Sequence, residues 1–345
     1  MDIHSIWKEA DSLCGCLSSM KTTGSRRRFA SEKDEDPLGV TNLFVSDEAK
    51  LLSSKTYRIL DGKTQVFTFP RSSLIRTRRT HTMEVVASSV IASELLGLNT
   101  DLVRAAAIGH DIGHVPFGHQ GESWIAKNLG LPKFCHEVMG AVIAQKIERH
   151  GRGLNLTWHT LEAMACHSGN TARPKMSQEA WVLRYIDKIS YIFHDINDIV
   201  MRMKYPVSRE LLDIANFFGK TQRERTTTAI AGLVVESAEE QRVSFERSEL
   251  GIKFQRLRSL MYDTYICVTQ QNVDSAMRTA FEFLRMINIG DSILLLALMT
   301  DKDVATLVAE PMKDMQAFNC TTVSEISPYL QEIGTVDLCD SMLDW

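Results

Sequence analysis

Histidine is scarce in this chain, yet His81, His110, His114, His119 and His136 crowd into one stretch of it. Three of them fall within His110-Asp111-Ile112-Gly113-His114-Val115-Pro116-Phe117-Gly118-His119. A helix end that passes into a glycine-bearing loop lets side chains converge on a ligand without core packing holding them apart. His110 and Asp111 are adjacent, so on a helix they project about 100° apart and can still meet one ion beside the helix terminus. His81 opens the preceding helix and can approach from the side, and a second carboxylate would complete the set. Imidazole with carboxylate suits Mn²⁺, Fe²⁺ or Mg²⁺. The absence of cysteine argues against a structural zinc site. Further along, Asp187, Tyr191 and Asp195 are spaced i, i+4, i+8 and share one helix face. That face fits either a solvated surface or the wall of a site.

These residues need helices to hold them, and the pattern supplies them. From Met83 to Leu96, rows Met83/Val86/Val90 and Ala87/Ile91/Leu95 run at helical spacing. Gly97 ends that helix. Thr100 can cap the next, with Leu102, Val103, Ala106 and Ala107 inside it. Gly113, Pro116 and Gly118 break the pattern into a loop. Helices follow over about Gly121–Leu129 and His136–Arg149. A long one runs from Ser177 to about Met203, with the apolar row Ile186, Ile189, Phe193, Ile196 and Val200. Strand signals are sparse, Thr64–Phe69 being the best. The expected fold is mostly α, a multi-helix bundle.

Three zones divide the 345 residues: a polar N-terminal extension at 1–45, a helical core at 46–205 and a C-terminal helical region at 206–345. In the first, Arg26, Arg27 and Arg28 precede Glu32, Asp34, Glu35 and Asp36, which reads as a solvated, mobile arm. Composition is that of a globular protein, with 44% hydrophobic and 24% charged residues. No apolar run approaches the roughly 20 residues of a bilayer span, so no membrane partner is expected. The start lacks the pattern of a secretory signal. The cysteines are scattered and form no CxxC pair, which suits a reducing cytoplasm. The net charge is −4, so nucleic-acid binding would need a local patch. Cys14-Gly15-Cys16 reads as incidental, and His159 and His167 read as structural or supporting residues.

The spaced pattern His81 … His110-Asp111 … Asp187 resembles the HD phosphohydrolase superfamily. The finer resemblance is to its deoxynucleoside triphosphate triphosphohydrolases, the dGTPase-like family. Four segments carry it: Lys63-Thr64-Gln65-Val66-Phe67, Arg76 through Val85, GHDIGHVPFGHQGE from Gly109 to Glu122, and Tyr185-Ile186-Asp187-Lys188-Ile189-Ser190-Tyr191 with His194-Asp195. They span roughly residues 45–205.

The resemblance implies an HD-domain bundle that hydrolyses dNTPs to deoxynucleoside and inorganic triphosphate. It implies that His81, His110, Asp111 and Asp187 hold a divalent ion (Mn, Mg or Fe). His119 and Glu122 match the catalytic histidine and its carboxylate partner. His114 faces the phosphates, and His136-Glu137 lines the same pocket. Two imidazoles and two carboxylates cancel the charge of a divalent ion, so a triphosphate demands added cations. Arg78 and Lys188 would supply them. Tyr191 and Asp195 would sit near the sugar or phosphate, and Gln65 near the 3′-hydroxyl. Many family members carry a second aspartate where Lys188 stands. The resemblance also implies a homo-oligomer, a hexamer among the options, and admits single-stranded nucleic acid as an effector. Another HD phosphohydrolase, acting on nucleoside monophosphates or signalling nucleotides, is the alternative.

Overall fold

The computed structural model describes residues 2–30, 41–68, 74–268, 273–309 and 315–343. Among these residues every regular element is helical and no strand forms, as the mostly-α expectation required. The helices Arg78–Leu96, Thr100–Gly109, Trp158–Cys166 and Gln178–Asn197 pack on one another as the central bundle. Around it lie the helices of the C-terminal region, from Gln222–Glu240 and Glu249–Val268 to Ser292–Leu298, Asp301–Ala309 and Thr322–Leu330.

Helix ends follow local chemistry. Thr77 caps Arg78–Leu96 by accepting from the Thr80 amide, and Gly97 closes it in the left-handed conformation, φ 76°. The next cap is Asn99 rather than Thr100; its side chain accepts from the Leu102 amide. Ser177 caps Gln178–Asn197, and five π-helical residues, Asp198–Arg202, follow it. The segment after Glu122 also differs from a plain helix: His136–Val142 runs into π-helical Ile143–Ile147.

Two expected rows behave differently. Ile186, Ile189, Phe193 and Ile196 are buried, as their spacing required. On Arg78–Leu96, by contrast, Met83 and Ile91 are about half exposed, at 48% and 52%. The buried face there carries His81, Thr82, Val85, Ser89, Ala92, Ser93 and Leu96. Small and polar residues fill it because this helix lies against neighbouring helices and the site. Ser93 Oγ turns back on the helix itself, donating to the Ser89 carbonyl at 2.8 Å.

The described part of the N-terminal extension is packed, not a mobile arm. Ile3–Ser12 lies on Gln222–Glu240, and Trp7 Nε1 donates to Thr228 Oγ1 at 3.2 Å. Arg27 is an internal strut: it pairs with Asp47 at 2.6 Å and donates to the Leu43 and Asn155 carbonyls. Breaking one side of such a buried pair costs about 3–5 kcal/mol. Residues 31–40, with the acidic run, lie outside the described residues. The strand expected at Thr64–Phe69 does not form. Thr64 makes a single isolated bridge to Thr77, and its amide and hydroxyl both donate to Asp301 Oδ2; Phe69 lies outside the described residues.

Candidate active site and metal centre

Helix ends deliver the cluster. His110 directly follows the last residue of Thr100–Gly109, and its Nδ1 donates to the Ala107 carbonyl at 2.6 Å. The lone pair therefore sits on Nε2, which is buried and has no hydrogen-bond partner. That nitrogen faces Asp111 Oδ1 at 3.5 Å and Asp187 Oδ1 at 3.8 Å. An acceptor nitrogen facing two acceptor oxygens is repulsive unless a cation stands among them. His81 joins from the first turn of Arg78–Leu96, with Nε2 3.1 Å from Asp187 Oδ1. Ligand atoms of His81, His110 and Asp111 lie within 4.8 Å of one another. All four residues are buried. The donor set thus fits a divalent ion, with the His110 tautomer fixed by its carbonyl partner.

The charges point the same way. Burial alone would raise the Asp111 carboxyl, but His110, His114 and Arg78 hold it well below the usual range. Burial likewise opposes ionisation of Asp187, and the His81 hydrogen bond with the imidazoles around it overrides this downward. Burial pushes His81 down despite Asp187, which favours the neutral imidazole a ligand needs.

A second group stands beside the first. Glu122 receives His119 Nδ1 on one oxygen at 3.0 Å and His136 Nδ1 on the other at 2.9 Å. The His114 and His136 rings stack 3.5 Å apart. His114 Nε2 reaches Asp111 Oδ1 at 3.2 Å; its Nδ1 is 2.9 Å from Glu122 Oε1 but off the hydrogen-bonding direction. Burial lowers Glu122's charge tolerance, yet His136 and the three histidine contacts hold it well below the carboxylate range. Burial opposes protonation of His136, but Glu122 and Glu137 lift it to about 9. The His119 side chain is 78% exposed, at the mouth of the site.

A cavity of about 290 Å³ opens onto both groups. Arg78, Asp111, His114, His119, His136 and Asp187 line it with Gln65 and Tyr191. Arg78 donates to Asp111 Oδ2 at 3.0 Å and to the Gln65 carbonyl at 3.2 Å. Arg78 Nε and Gln65 Oε1 have no protein partner. Glu122, His81, His110 and Glu137 stand behind the wall. Lys188 and Asp195 do not line it. Lys188 Nζ turns to the Arg184 carbonyl at 2.6 Å and the His167 carbonyl at 3.3 Å, where burial pushes it down to about 7. Asp195 pairs with Arg76 and accepts from Tyr265 Oη at 2.6 Å.

Among the wall residues outside the expected set are His167, which reads from sequence as structural or supporting, and Tyr262 and Tyr265. His167 follows the helix Trp158–Cys166 just as His110 follows its own, and that position at a helix end was the available signal. Tyr262, whose hydroxyl lies 3.2 Å from that of Tyr191, and Tyr265 come from Glu249–Val268, where no motif marks them.

The loop between the two groups is held from outside. Phe117 and Gly118 are both left-handed, φ 61° and 54°. Asp301 Oδ1 accepts the Phe117 amide at 2.9 Å. The fully buried Lys63 donates to the His114 and Ala297 carbonyls. A Cβ on Gly113 would lie 2.0 Å from the His136 carbonyl oxygen, so glycine is what lets this loop and the His136–Val142 helix meet.

Helical bundle, histidine–aspartate cluster and cavity together define an HD-domain hydrolase, a metal-dependent phosphohydrolase, and the HD domain family matches residues 78–192. Relatives extend the match beyond that segment. The deoxyguanosinetriphosphate triphosphohydrolase-like protein of Clostridium tetani is 32% identical over 253 residues, 70% of each chain. Those of Caldanaerobacter subterraneus and Clostridium perfringens are 32% and 35% identical, over 72% and 67% of this chain and 72% and 69% of theirs. The chain belongs to this dGTPase-like family of the HD superfamily. No helix among the described residues is long and apolar enough to cross a membrane.

Proposed function

We propose that the protein hydrolyses deoxynucleoside triphosphates to deoxynucleoside and inorganic triphosphate. The observation that carries this is the single cavity onto which the His81/His110/Asp111/Asp187 cluster, the His119–Glu122 pair and Arg78 all converge. The ion, when bound at the cluster, supplies positive charge to a phosphate oxygen. Arg78 adds a second cation with a free Nε–H for another oxygen. His136, kept protonated by Glu122 and Glu137, adds a third. Glu122 holds the proton on His119 Nδ1, so Nε2 is the atom that carries a proton to or from the reaction. Protonation of the 5′-oxygen there lets the deoxynucleoside leave, while the water oxygen stays on the triphosphate. Gln65 Oε1 is a buried acceptor in want of a hydroxyl, which the 3′-position of the sugar offers. Tyr191, Tyr262 and Tyr265 form the wall for sugar and base.

The purified chain, incubated with each dNTP and Mn²⁺ in ¹⁸O water, should release deoxynucleoside and labelled triphosphate. The withdrawal of Lys188 from the cavity favours a second reading, a shorter phosphate chain. Release of pyrophosphate with monophosphate, or a preference for deoxynucleoside monophosphates, would establish that reading instead. A cytoplasmic homo-oligomer belongs to the same proposal: the cysteines are all free, and light scattering counts the subunits.

A further inference from the structure

Met83, Ala87, Ile91 and Leu95 recur every four residues along Arg78–Leu96, the spacing that marks a buried helical stripe. The structure leaves this stripe outside. Met83 and Ile91 keep about half their surface, Ala87 is exposed between them, and Leu95 is half-buried. The helix spends its opposite face on the site, where Arg78 and His81 turn inward. Uncovered apolar rows of this kind mark surfaces that meet another protein.

Ala87, Ile91 and Leu95 line a groove of about 620 Å³, completed by Trp7 of Ile3–Ser12 and by Ile230 and Ala231 of Gln222–Glu240. Apolar ridges at helical spacing take the ridges of another helix. Charge says which helix, and in which direction. Arg79 stands exposed at one end of the stripe and Glu94 at the other. A face with opposite charges at its two ends complements itself when reversed. Laid antiparallel about Ala87, Met83 meets a second copy's Ile91, and Arg79 meets its Glu94 at both ends. A parallel pairing would set Arg79 against Arg79 and Glu94 against Glu94, which repel. Arg79 also pairs with Asp61 at 3.2 Å, but both groups are about half exposed, so that contact holds it weakly. Ala87, at the crossing, has no side chain beyond Cβ to keep the two backbones apart.

We infer that this face is the docking surface for a second copy of the chain, whose own Arg78–Leu96 lies antiparallel on it across a two-fold axis at Ala87. Such an interface uses the same patch on both subunits and closes on itself. The inference rests on the homo-oligomer reading above and names the surface that reading leaves open. The His81 sides of the two paired helices face away from each other, so the two sites stand back to back.

The test weighs the full chain by sedimentation and light scattering over a dilution series. Ala87→Glu should lower the mass of the assembly, to half for a dimer, or raise the dissociation constant at least about tenfold, since like charges then meet at the axis. Ala87 is exposed, so the variant should keep its fold, which circular dichroism checks. Arg79→Glu and Glu94→Arg should each weaken association about three- to tenfold. The double variant Arg79→Glu/Glu94→Arg should restore it to within about twofold, a rescue that only the antiparallel register gives. An oligomer that Ala87→Glu leaves intact, or single variants that weaken it without rescue in the double, overturns the inference alone. A monomeric unaltered chain overturns the homo-oligomer reading with it. No nucleotide or metal is present, so the result is independent of the dNTP assay.

Discussion

Asp301 accepts the Phe117 backbone amide at 2.9 Å across 184 positions of sequence. Phe117 is a non-glycine residue in the left-handed region, and the helix bearing His119 and Glu122 begins two residues later. Such a conformation costs of order 1–3 kcal/mol and persists only where the surroundings enforce it. Asp301 also accepts from Thr64, so it ties two walls of the cavity together. Asp301→Asn should lower kcat about ten- to a hundredfold, since hydrogen bonds to a charged group are worth roughly 1.5–3 kcal/mol. Metal content should not change. Loss of bound ion in step with kcat would show that Asp301 supports the cluster instead of the loop.

At the His81/His110/Asp111/Asp187 cluster, Asp111→Ala should remove bound metal and activity together. Asp111 also accepts from Arg78 Nη1 and lies 3.2 Å from His114 Nε2, so its loss disturbs both neighbours as well. Elemental analysis of the purified variant gives the answer, and a full complement of metal would sink the assignment.

His119→Ala makes a contrasting case. His119 is exposed and touches Glu122, not the cluster. Metal and nucleotide binding should persist while turnover falls about 10²–10⁴-fold, the usual worth of a positioned acid or base. An unchanged rate at saturating substrate would remove it from proton transfer.

Arg78 and Lys188 should now separate. Arg78→Ala should raise KM for the nucleotide about tenfold or more, because a charge-assisted contact is lost. Lys188→Met should leave KM within about threefold, since Lys188 Nζ is held by the Arg184 and His167 carbonyls. Steady-state kinetics on both variants discriminates; a matching rise in KM would mean that Lys188 swings into the cavity.

Lys63 predicts a pH dependence of stability. Burial pushes its ammonium down to about 7, from 10.5 when exposed. Between those values the unfolded chain binds more protons than the folded one, so stability rises with pH. The penalty is complete below pH 7 and fades towards pH 10.5. Lys63→Met should flatten this rise in urea unfolding measured from pH 7 to 10. The same slope in both proteins would mean that the lysine stays charged.

The histidine–carboxylate constellation was legible because it is dense in sequence: His110, Asp111, His114, His119 and Glu122 fall within a short stretch, and residue type alone announces them. The rest of the site is dispersed. Tyr262, Tyr265 and Asp301 lie on helices that look like any others, and only packing brings them to the cavity. Hydrophobic periodicity misread Arg78–Leu96 because that helix buries serines, a threonine and a histidine while leaving Met83 and Ile91 outside. It succeeded on Gln178–Asn197, where Ile186, Ile189, Phe193 and Ile196 form a continuous buried apolar row. Charge runs misled at Arg27, whose partner Asp47 stands in an unremarkable helix and cannot be paired with it from sequence. Lys188 misled for a related reason: adjacency to Asp187 in sequence puts the two side chains in different directions on a helix.

The aromatic wall has a further consequence. Residues 78–192, the HD match, hold His81, His110, Asp111 and Asp187, whereas Tyr262 and Tyr265 belong to Glu249–Val268. Part of the aromatic wall thus lies outside the stretch that holds the histidine–aspartate cluster, although Tyr191 lies within it. Substitutions at Tyr262, Tyr265 or Ile266 of Glu249–Val268 would therefore change the shape of the cavity wall without altering any residue of the histidine–aspartate cluster.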